Sequence, residues 1–174
     1  MPNHCTNQLY CLDGDLNSIV EQFKSIDHHG EAFLDFEKII PVPNELRIDS
    51  APGTKDKELK KKYKSNSRKH GFESWYDFCV NQWGTKWNSY DCTFNDTGMC
   101  FVTAWSPPEG IIKELAKKTG KTFILEYIEE GCDFCGRYTA SPETTLDEIY
   151  SPISDAPEQL KESLGYEPWE EEEE

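Results

Sequence analysis

The chain has 174 residues and a formal net charge of −15, and this length suffices to bury the core of one domain without disulfides or a structural metal. No apolar run approaches the roughly 20 residues of a membrane-spanning helix, and Met1–Cys5 lacks the basic flank and apolar core of a secretion signal. Seven cysteines, an odd number at scattered spacing, favour reduced thiols. We therefore expect a soluble cytosolic protein that does not contact a membrane.

The charge is distributed unevenly along the chain. Residues 151–174 contain nine acidic side chains and one basic one, whereas residues 55–69 contain eight basic and two acidic ones. The acidic balance of the whole chain argues against direct binding of duplex DNA. For the basic segment we expect a solvated helix face, with contact to phosphate or to an acidic partner as the alternative.

The beginning of the chain predicts a strand, a helix and a second strand. Residues 3–12 are typical of a strand, and the turn at Asp13 leads into an amphipathic helix. The apolar face of this helix consists of Leu16, Ile19, Val20, Phe23 and Ile26. The apolar residues between Phe33 and Ile40 predict the second strand, which ends at Pro41 because proline cannot extend a central ladder.

Residues 43–84 are expected to form a helical insertion. It begins as a loop rich in proline and glycine and continues as the basic helix, which ends at Gly71. A second helix follows, since aromatic and apolar residues recur there at helical spacing. They are Phe72, Trp75, Tyr76, Cys79, Val80 and Trp83. Gly84 stands where a C-cap glycine belongs, because a left-handed residue without Cβ avoids a clash there.

Two strands and a helix are predicted after the insertion. The strands are Trp87 to Phe94 and Met99 to Trp105, joined by a loop at residues 95–98. The helix is expected to begin with Ser106 as its N-cap in a capping box and to end at Gly120.

The C-terminal part predicts two more strands and two short helices. The strands are Phe123–Ile128 and Phe134–Thr139, and the helices are expected to open at Ser141 and at Asp155. Residues 169–174 contain five glutamates and are expected to form a disordered acidic tail.

This order of elements predicts an α+β fold, namely a ferredoxin-like split βαβ antiparallel sheet. We expect a single domain over residues 1–168, with the helical insertion at residues 43–84 and a C-terminal helical embellishment. Helices on one face of an antiparallel sheet leave the other face to the insertion or to a partner. We therefore expect function on that free face, and an unpaired sheet edge leaves a homodimer open.

Five sequence blocks resemble a known family. They read MPNHCTNQL, IIPVPNEL, WGTKW, FVTAWSPP and LEYIEEGCDFCG. Over residues 1–136 the chain resembles the YubB ferredoxin-like family of phage and plasmid proteins. The residues that match the family pattern outside the tryptophan blocks are Asn3, Asn7, Tyr127, Glu129 and Gly131. His4 departs from it, because relatives often carry tryptophan there. The resemblance implies a protein that serves a phage or plasmid in the host cytoplasm, without an established activity.

The tryptophans suggest an aromatic pocket. It would be lined by Trp83, Trp87, Trp105, Lys86, Tyr127 and Glu129 if the central strands lie side by side. Such a pocket favours a base or another planar ligand by stacking, with Lys86 near a phosphate. The structural alternative is a core corner in which Lys86 pairs with Glu129. The candidate residues for ligand or partner binding are Lys86, Trp87, Trp105, Tyr127, Glu129, Asn3 and Asn7.

A metal site and an enzymatic site receive less support. Cys132 and Cys135 have the CxxC spacing of zinc and redox sites, but zinc needs four ligands and the sequence has no second such pair. We interpret both as ordinary thiols, with zinc or a redox pair as the alternative. The chain contains neither a GxSxG motif nor a glycine-rich phosphate loop. We therefore expect no catalytic residues and no cofactor, with an enzyme that acts on nucleotides or protein as a further alternative.

The resulting hypothesis is a non-enzymatic phage or plasmid protein that binds and inhibits a host defence component. The target would be a CRISPR effector or a restriction nuclease with a basic groove, which the carboxylates of this chain would occupy in place of nucleic-acid phosphates. The alternative is a sponge that sequesters a nucleotide immune signal in the aromatic pocket.

Overall fold

The structure is a computed structural model that describes residues 3–95 and 98–167. The strands of its main sheet are β1 (His4–Cys11), β4 (Tyr90–Phe94), β5 (Met99–Ala104), β6 (Phe123–Glu129), β7 (Phe134–Ala140) and β8 (Thr145–Tyr150). They lie side by side in the order β4-β5-β1-β6-β7-β8. A separate two-stranded sheet consists of β2 (Lys24–Ile26) and β3 (Ala32–Leu34).

Six α-helices accompany the sheets in the described part of the chain. They are α1 (Leu16–Phe23), α2 (Phe36–Ile39), α3 (Lys57–His70), α4 (Trp75–Gln82), α5 (Glu109–Thr119) and α6 (Glu158–Ser163). Short 3₁₀ turns occur at Asn44–Leu46 and Ile153–Asp155. Within the described ranges, no helix has the length and apolar character needed to cross a membrane.

All pairings in the main sheet are antiparallel. The connection through α1 leads from β1 towards β4, the connection through α5 leads from β5 to β6, and β5 lies between β1 and β4. This is the split βαβ arrangement. The predicted α+β fold with a ferredoxin-like antiparallel sheet is therefore confirmed, and β7 and β8 extend it on one side.

The main core lies between one face of the sheet and the helices. Alternation along β1 turns Cys5, Asn7 and Leu9 inward, and α5 buries Ile111 and Leu115 against them. Each buried aliphatic side chain contributes roughly 1.5–3 kcal/mol, whereas an exposed ion pair contributes about 0–1 kcal/mol. The apolar contacts therefore hold the fold together.

The predicted strand over Phe33 to Ile40 is wrong for most of its length. The strand β3 stops at Leu34, and Asp35 caps α2, because its carboxylate accepts a hydrogen bond from the Glu37 amide at 3.0 Å. Phe36 and Ile39 are therefore buried as residues of a helical turn and not of a strand. The hairpin of β2 and β3 stands outside the main sheet, and Ile26, predicted on the face of α1, lies in β2.

The second helix of the insertion is shorter than predicted. It begins at Trp75, so that Phe72 lies before it, and Val80 is 39% exposed rather than on the buried face. Trp83 is buried and Gly84 has a φ of +90°, as a glycine after a helix end requires. The following strand begins at Tyr90, which leaves Trp87 in a loop instead of in a strand.

The expected capping box at Ser106 is also wrong. The hydroxyl of Ser106 donates to the Gly84 carbonyl at 2.6 Å, and α5 begins at Glu109, with Pro108 before it. The backbone of residues 107–109 lies so close to Gly84 that a Cβ there would be 2.7 Å from the Pro107 oxygen. Close packing between these loops therefore determines where the helix begins. Its predicted end at Gly120 is confirmed by a φ of +67°.

The C-terminal region differs from the prediction at its start and covers a sheet face. A helix was expected at Ser141, but the chain turns there into β8. The short helix expected after Asp155 is confirmed as α6.

Residues of the C-terminal segment pack on the outer face of β6 and β7 in a cluster of Ile128, Cys135, Ile153, Ala156, Leu160 and Leu164. The face expected to be free is thus partly covered by the chain itself. The predicted tail at residues 169–174 lies outside the described residues.

Candidate functional site

Lys86 lies between two tryptophan rings. Its ammonium is 3.8 Å from the ring centroid of Trp87 and 3.7 Å from that of Trp105. Both distances are well inside the range of about 6 Å over which a cation is attracted to an aromatic face. Each tryptophan is 42% exposed. The three side chains therefore form a partly solvated stack at the protein surface, which we call the Lys86 stack.

Two hydrogen bonds fix the loop that carries Lys86. The buried hydroxyl of Thr85 donates to the Ala104 carbonyl at 2.8 Å, and Ser106 holds the Gly84 carbonyl. Trp105, directly after β5, has a φ of +74°, a conformation that bulky residues rarely adopt. The end of β5 and the loop after α4 are thus tied together, and this brings the rings of Trp87 and Trp105 to the Lys86 ammonium.

An open cleft lies beside the Lys86 stack. Its volume is about 430 Å³, and three tryptophans line it, namely Trp75, Trp83 and Trp87. Clefts of about 300–1,000 Å³ with aromatic walls and a few polar groups are typical of small-molecule sites. We call this feature the aromatic cleft. It lies where α2 and the loop after it meet α4 and the loop that follows α4.

The polar groups of the aromatic cleft are largely engaged with the protein. Arg47 pairs with Glu37 at 2.8 Å, and the indole N–H of Trp83 donates to the Ile40 carbonyl at 2.8 Å. At the floor, burial raises the pKa of Cys79 to about 12, so its thiol is neutral and a poor nucleophile at pH 7. The cleft is therefore better suited to binding through its aromatic faces than to catalysis.

The structure divides the other candidate residues between the core and a distant loop. Asn7 is fully buried and donates to the Cys5 carbonyl and the Thr103 hydroxyl at 2.8 and 2.9 Å. Tyr127 is also buried, and its hydroxyl donates to Asp147 at 3.1 Å. Burial is the main reason why the pKa of Tyr127 lies far above its ordinary value, and the charge of Asp147 adds to the effect. Asn7 and Tyr127 thus support the sheet from within.

Glu129 holds a turn and does not pair with Lys86 as the alternative interpretation expected. Its carboxylate accepts hydrogen bonds from the amides of Gly131 and Cys132 at 3.1 and 2.6 Å. Asn3 lies beside this turn and donates to the Cys132 sulfur at 3.5 Å. A shallow pocket of about 290 Å³ is formed by Asn3, Glu129 and their neighbours. The expected single pocket is therefore divided between the aromatic cleft, the core and this turn.

The CxxC pair is split between two environments. Cys132 is exposed in the turn, where Glu129 raises its pKa, whereas Cys135 is buried in β7 under the C-terminal segment and desolvation raises its pKa. Across residues 3–95 and 98–167, no group of three or more His, Cys, Asp or Glu side chains is placed to hold a metal ion. Two thiols with raised pKa values are poorly suited to thiolate chemistry at neutral pH.

An acidic segment of the chain includes β7 and β8 at one edge of the main sheet. Residues 129–167 contain ten acidic and two basic side chains, a net charge of −8. We call these residues the acidic end. The contacts within it are close, since the Asp133 carboxylate accepts from the Ile153 amide at 3.0 Å and Leu160 packs in the cluster that covers Ile128. The segment after β8 is therefore packed back onto β6 and β7.

The basic charge lies on α3, which belongs to a different part of the molecule. Asn66 on this helix donates to the carbonyls of Glu45 and Glu73, and Tyr63 donates to that of Asp49. These contacts hold α3 within its own insertion. Lysines and arginine follow the exposed side, as expected for a solvated helix face. The Asp56 carboxylate caps the N-terminus. The molecule is thus electrically polar, with a basic insertion and an acidic end.

The fold is that of a ferredoxin-like α+β protein, with an aromatic cleft beside the start of the hairpin of β4 and β5. The chain belongs to the family described as the ferredoxin-like domain in Api92-like protein, whose family model matches residues 82–173. The match begins next to Trp83 and includes β4 to β8, while the central strand β1 precedes it. No curated protein and no solved structure matches the chain.

Sequence reasoning missed parts of both surfaces. Arg47 and Glu37 reach the aromatic cleft from the first half of the chain, and neither residue stands in a motif. The strand β8 had a signal, because Thr145, Ile149 and Tyr150 favour strands and follow the turn at Ser141. The serine and proline at that turn were interpreted as a helix start, which concealed the strand.

Proposed function

We propose that the protein is a non-enzymatic phage or plasmid protein that binds a basic surface of a host defence protein and blocks it. The target class is a CRISPR effector or a restriction nuclease, whose groove for nucleic-acid phosphates would receive the carboxylates of the acidic end. The observation that carries this proposal is the net charge of −8 over residues 129–167, a stretch that includes the edge strand β8 and the C-terminal segment packed on the sheet.

Few of these carboxylates are neutralised internally. Within the acidic end Lys161 binds Glu158 at 2.6 Å, whereas Arg137 binds Glu126, which precedes it, at 2.6 Å. Glu130, Glu162 and Glu167 are exposed. Exposed like charges repel one another and destabilise the compact state. Binding of a cationic partner would remove this repulsion and is therefore favoured. The resemblance to the YubB ferredoxin-like family supports an origin on a phage or plasmid, where such inhibitors serve the element.

The acidic end can be tested without disturbing its packing. Deletion of residues 151–174 would remove Ile153 and Leu160 and expose the sheet face beneath them, so charge neutralisation is the cleaner change. The test variant replaces Glu130, Glu158, Glu162 and Glu167 by Gln. The control variant has the same net charge, with replacements at Glu21, Glu31, Glu58 and Glu73, which are exposed outside the acidic end.

Plasmid recovery is measured in bacteria whose CRISPR effector or restriction nuclease attacks that plasmid. The parent and the control variant should raise recovery, and the test variant should lose this protection. Co-purification of the purified defence protein should weaken as salt increases, because exposed charges are screened. Equal protection by the two variants would exclude the acidic end as the inhibitory surface.

The aromatic cleft supports a second candidate function, the sequestration of a nucleotide signal. The observation that favours it is the Lys86 stack, since Trp87 offers a partly exposed ring for a base and Lys86 a charge for a phosphate. A panel of cyclic and linear nucleotides should raise the melting temperature of the parent if one of them binds the folded state. Lys86→Ala should abolish that rise. A rise of the same size in Lys86→Ala would exclude the stack as the binding site.

A further inference from the structure

The strand β8 is an open edge of the main sheet. It pairs with β7 over six consecutive residue pairs, from Cys135 with Tyr150 to Ala140 with Thr145, without an irregularity. On its other side no strand of the described ranges pairs with it. A regular edge of this length presents a row of backbone donors and acceptors that can pair with another extended chain.

The opposite edge of the sheet is protected in the ways that edge strands usually are. The register of β4 shifts between Tyr90 and Thr93, and Asp91 within that irregularity has a φ of 49°. The small hairpin of β2 and β3 also lies against β4. Bulges and covering elements prevent strand addition. The two edges of the sheet therefore differ. The edge at β4 is irregular and covered by the hairpin, whereas the edge at β8 is regular and pairs with no further strand in the described ranges.

The side chains of β8 form a defined pattern. Leu146 and Ile149 are 61% and 60% exposed, although both are aliphatic. Between them stand Asp147 and Glu148, also exposed. Ile149 lies opposite Gly136 on β7, which has no side chain to cover it. The order along the strand is therefore apolar, acidic, acidic, apolar, and it reads the same in both directions.

We propose that β8 binds an extended segment of a partner protein by strand addition, and that this segment carries the order apolar, basic, basic, apolar. Residues directly opposite on neighbouring strands project from the same face. Apolar partner side chains thus meet Leu146 and Ile149, and basic ones meet Asp147 and Glu148. The inference rests on the proposed function, for which it specifies the site and the partner's chemistry.

A second copy of this chain fits the edge poorly. Antiparallel pairing of two β8 strands about their centre would place Leu146 against Ile149, which is favourable, but Asp147 against Glu148. Carboxylates directly opposite each other in a sheet are destabilising. A cationic segment gains from the same positions, and the surrounding acidic end with its net charge of −8 attracts it further.

Two labelled hexapeptides of the same composition provide the test. One has the sequence Thr-Val-Lys-Lys-Val-Thr, and the other, Thr-Lys-Val-Val-Lys-Thr, places charges against the aliphatic residues. Fluorescence anisotropy with the full chain should show tighter binding of the first peptide. Hydrogen exchange of alternate amides in β8 should slow when this peptide is present. Equal affinities for the two peptides would overturn strand addition and leave only charge attraction.

Glu148→Lys should weaken binding of the first peptide about tenfold, since an opposite-charge pair becomes a like-charge pair, and tenfold corresponds to ~1.4 kcal/mol. Glu143→Lys, in the turn before β8, is the matched control and should retain more of the affinity. Equal losses in both variants would count against the strand. Analytical ultracentrifugation of the unliganded chain should give a monomer, and a dimer abolished by Leu146→Lys would show instead that a second copy occupies the edge.

The plasmid-recovery assay separates this inference from the proposed function. If the parent protects the plasmid and Leu146→Lys with Ile149→Lys protects equally well, the function stands and strand addition is refuted. If the parent gives no protection, the proposed function fails whatever the peptides do. Loss of protection in the double variant, with an unchanged far-ultraviolet circular dichroism spectrum, supports both.

Discussion

The hydroxyl of Tyr127 donates a hydrogen bond to the carboxylate of Asp147 at 3.1 Å and so connects the buried strand β6 to the edge strand β8. The bond passes over β7 at Gly136, where a Cβ would lie 2.4 Å from the tyrosine oxygen and 2.5 Å from the Glu148 carbonyl. The absence of a side chain at this glycine thus permits the contact. The same absence leaves Ile149 uncovered. Gly136 therefore affects both the packing of the core and the exposed side chains of the proposed docking edge.

Removal of this hydrogen bond should destabilise the fold by a moderate amount. Tyr127→Phe should lower the free energy of unfolding by about 1 kcal/mol, the usual net value of such a bond. Asp147→Ala leaves the hydroxyl without its acceptor and should cost about 1–3 kcal/mol, whereas Asp147→Asn keeps an acceptor and should cost less. Urea denaturation measures all three. If Asp147→Asn and Asp147→Ala were equally unstable, the hydrogen bond would not be the cause.

The fold was predictable where one local signal dominated. The apolar spacing of Ile111, Ile112 and Leu115 with a glycine at position 120 predicted the body and end of α5 correctly. Its start was not predictable, because Ser106 bonds to Gly84, a residue distant in sequence. The local sequence contains every residue of a capping box. The hydroxyl of Ser106, however, donates to a carbonyl outside the helix, and this tertiary contact overrides the local preference.

Gly110→Ala should destabilise the protein although alanine favours helices. A Cβ at Gly110 would lie 2.0 Å from the Gln82 carbonyl oxygen, where α5 meets the end of α4. Overpacking costs about 1–3 kcal/mol and exceeds the advantage of ~1 kcal/mol that alanine has over glycine inside a helix. The expected result is a lower midpoint in urea.

Lys113→Ala, at an exposed position of the same helix, is the control for Gly110→Ala. This substitution should change the free energy of unfolding by no more than about 0.5 kcal/mol. A stability of Gly110→Ala equal to or above that of the parent would show that the two helices separate at no cost.

The Lys86 stack should stabilise the loop that carries it. Lys86→Ala removes the cation from both rings and should lower the free energy of unfolding by about 1 kcal/mol, since cation–π contacts at exposed sites contribute about 0.5–1 kcal/mol each. Lys86→Arg should retain most of the stability because a guanidinium also stacks on tryptophan. Lys117→Ala, on the exposed side of α5, is the control. Identical unfolding curves for Lys86→Ala and this control would mean that the stack adds nothing.

The candidate site was less predictable than the fold. The WGTKW block indicated an aromatic cluster, and the structure brings Lys86, Trp87 and Trp105 together. Sequence patterns could not show that Tyr127 faces the core, because alternation in a strand assigns two faces without stating which one is inward. Residues such as Arg47 reach the cleft through the path of the insertion. Long-range placement of this kind has no local signature.

The stability of the fold should depend on the ionisation of Glu109. Burial, and secondly the charge of Asp147, raise the pKa of this carboxyl above its ordinary value. An acid whose pKa is raised in the folded state contributes stability below its unfolded pKa of about 4.3 and loses it as pH rises through the folded pKa. Glu109→Gln should therefore melt at a higher temperature than the parent at pH 7, and the difference should shrink as pH falls towards 4.5.

Glu143→Gln, in the exposed turn before β8, is the control for Glu109→Gln, and melting curves at several pH values provide the measurement. A Glu109→Gln variant that melts below the parent at pH 7 would show that the negative charge, placed at the N-terminus of α5, stabilises the helix more than burial opposes it.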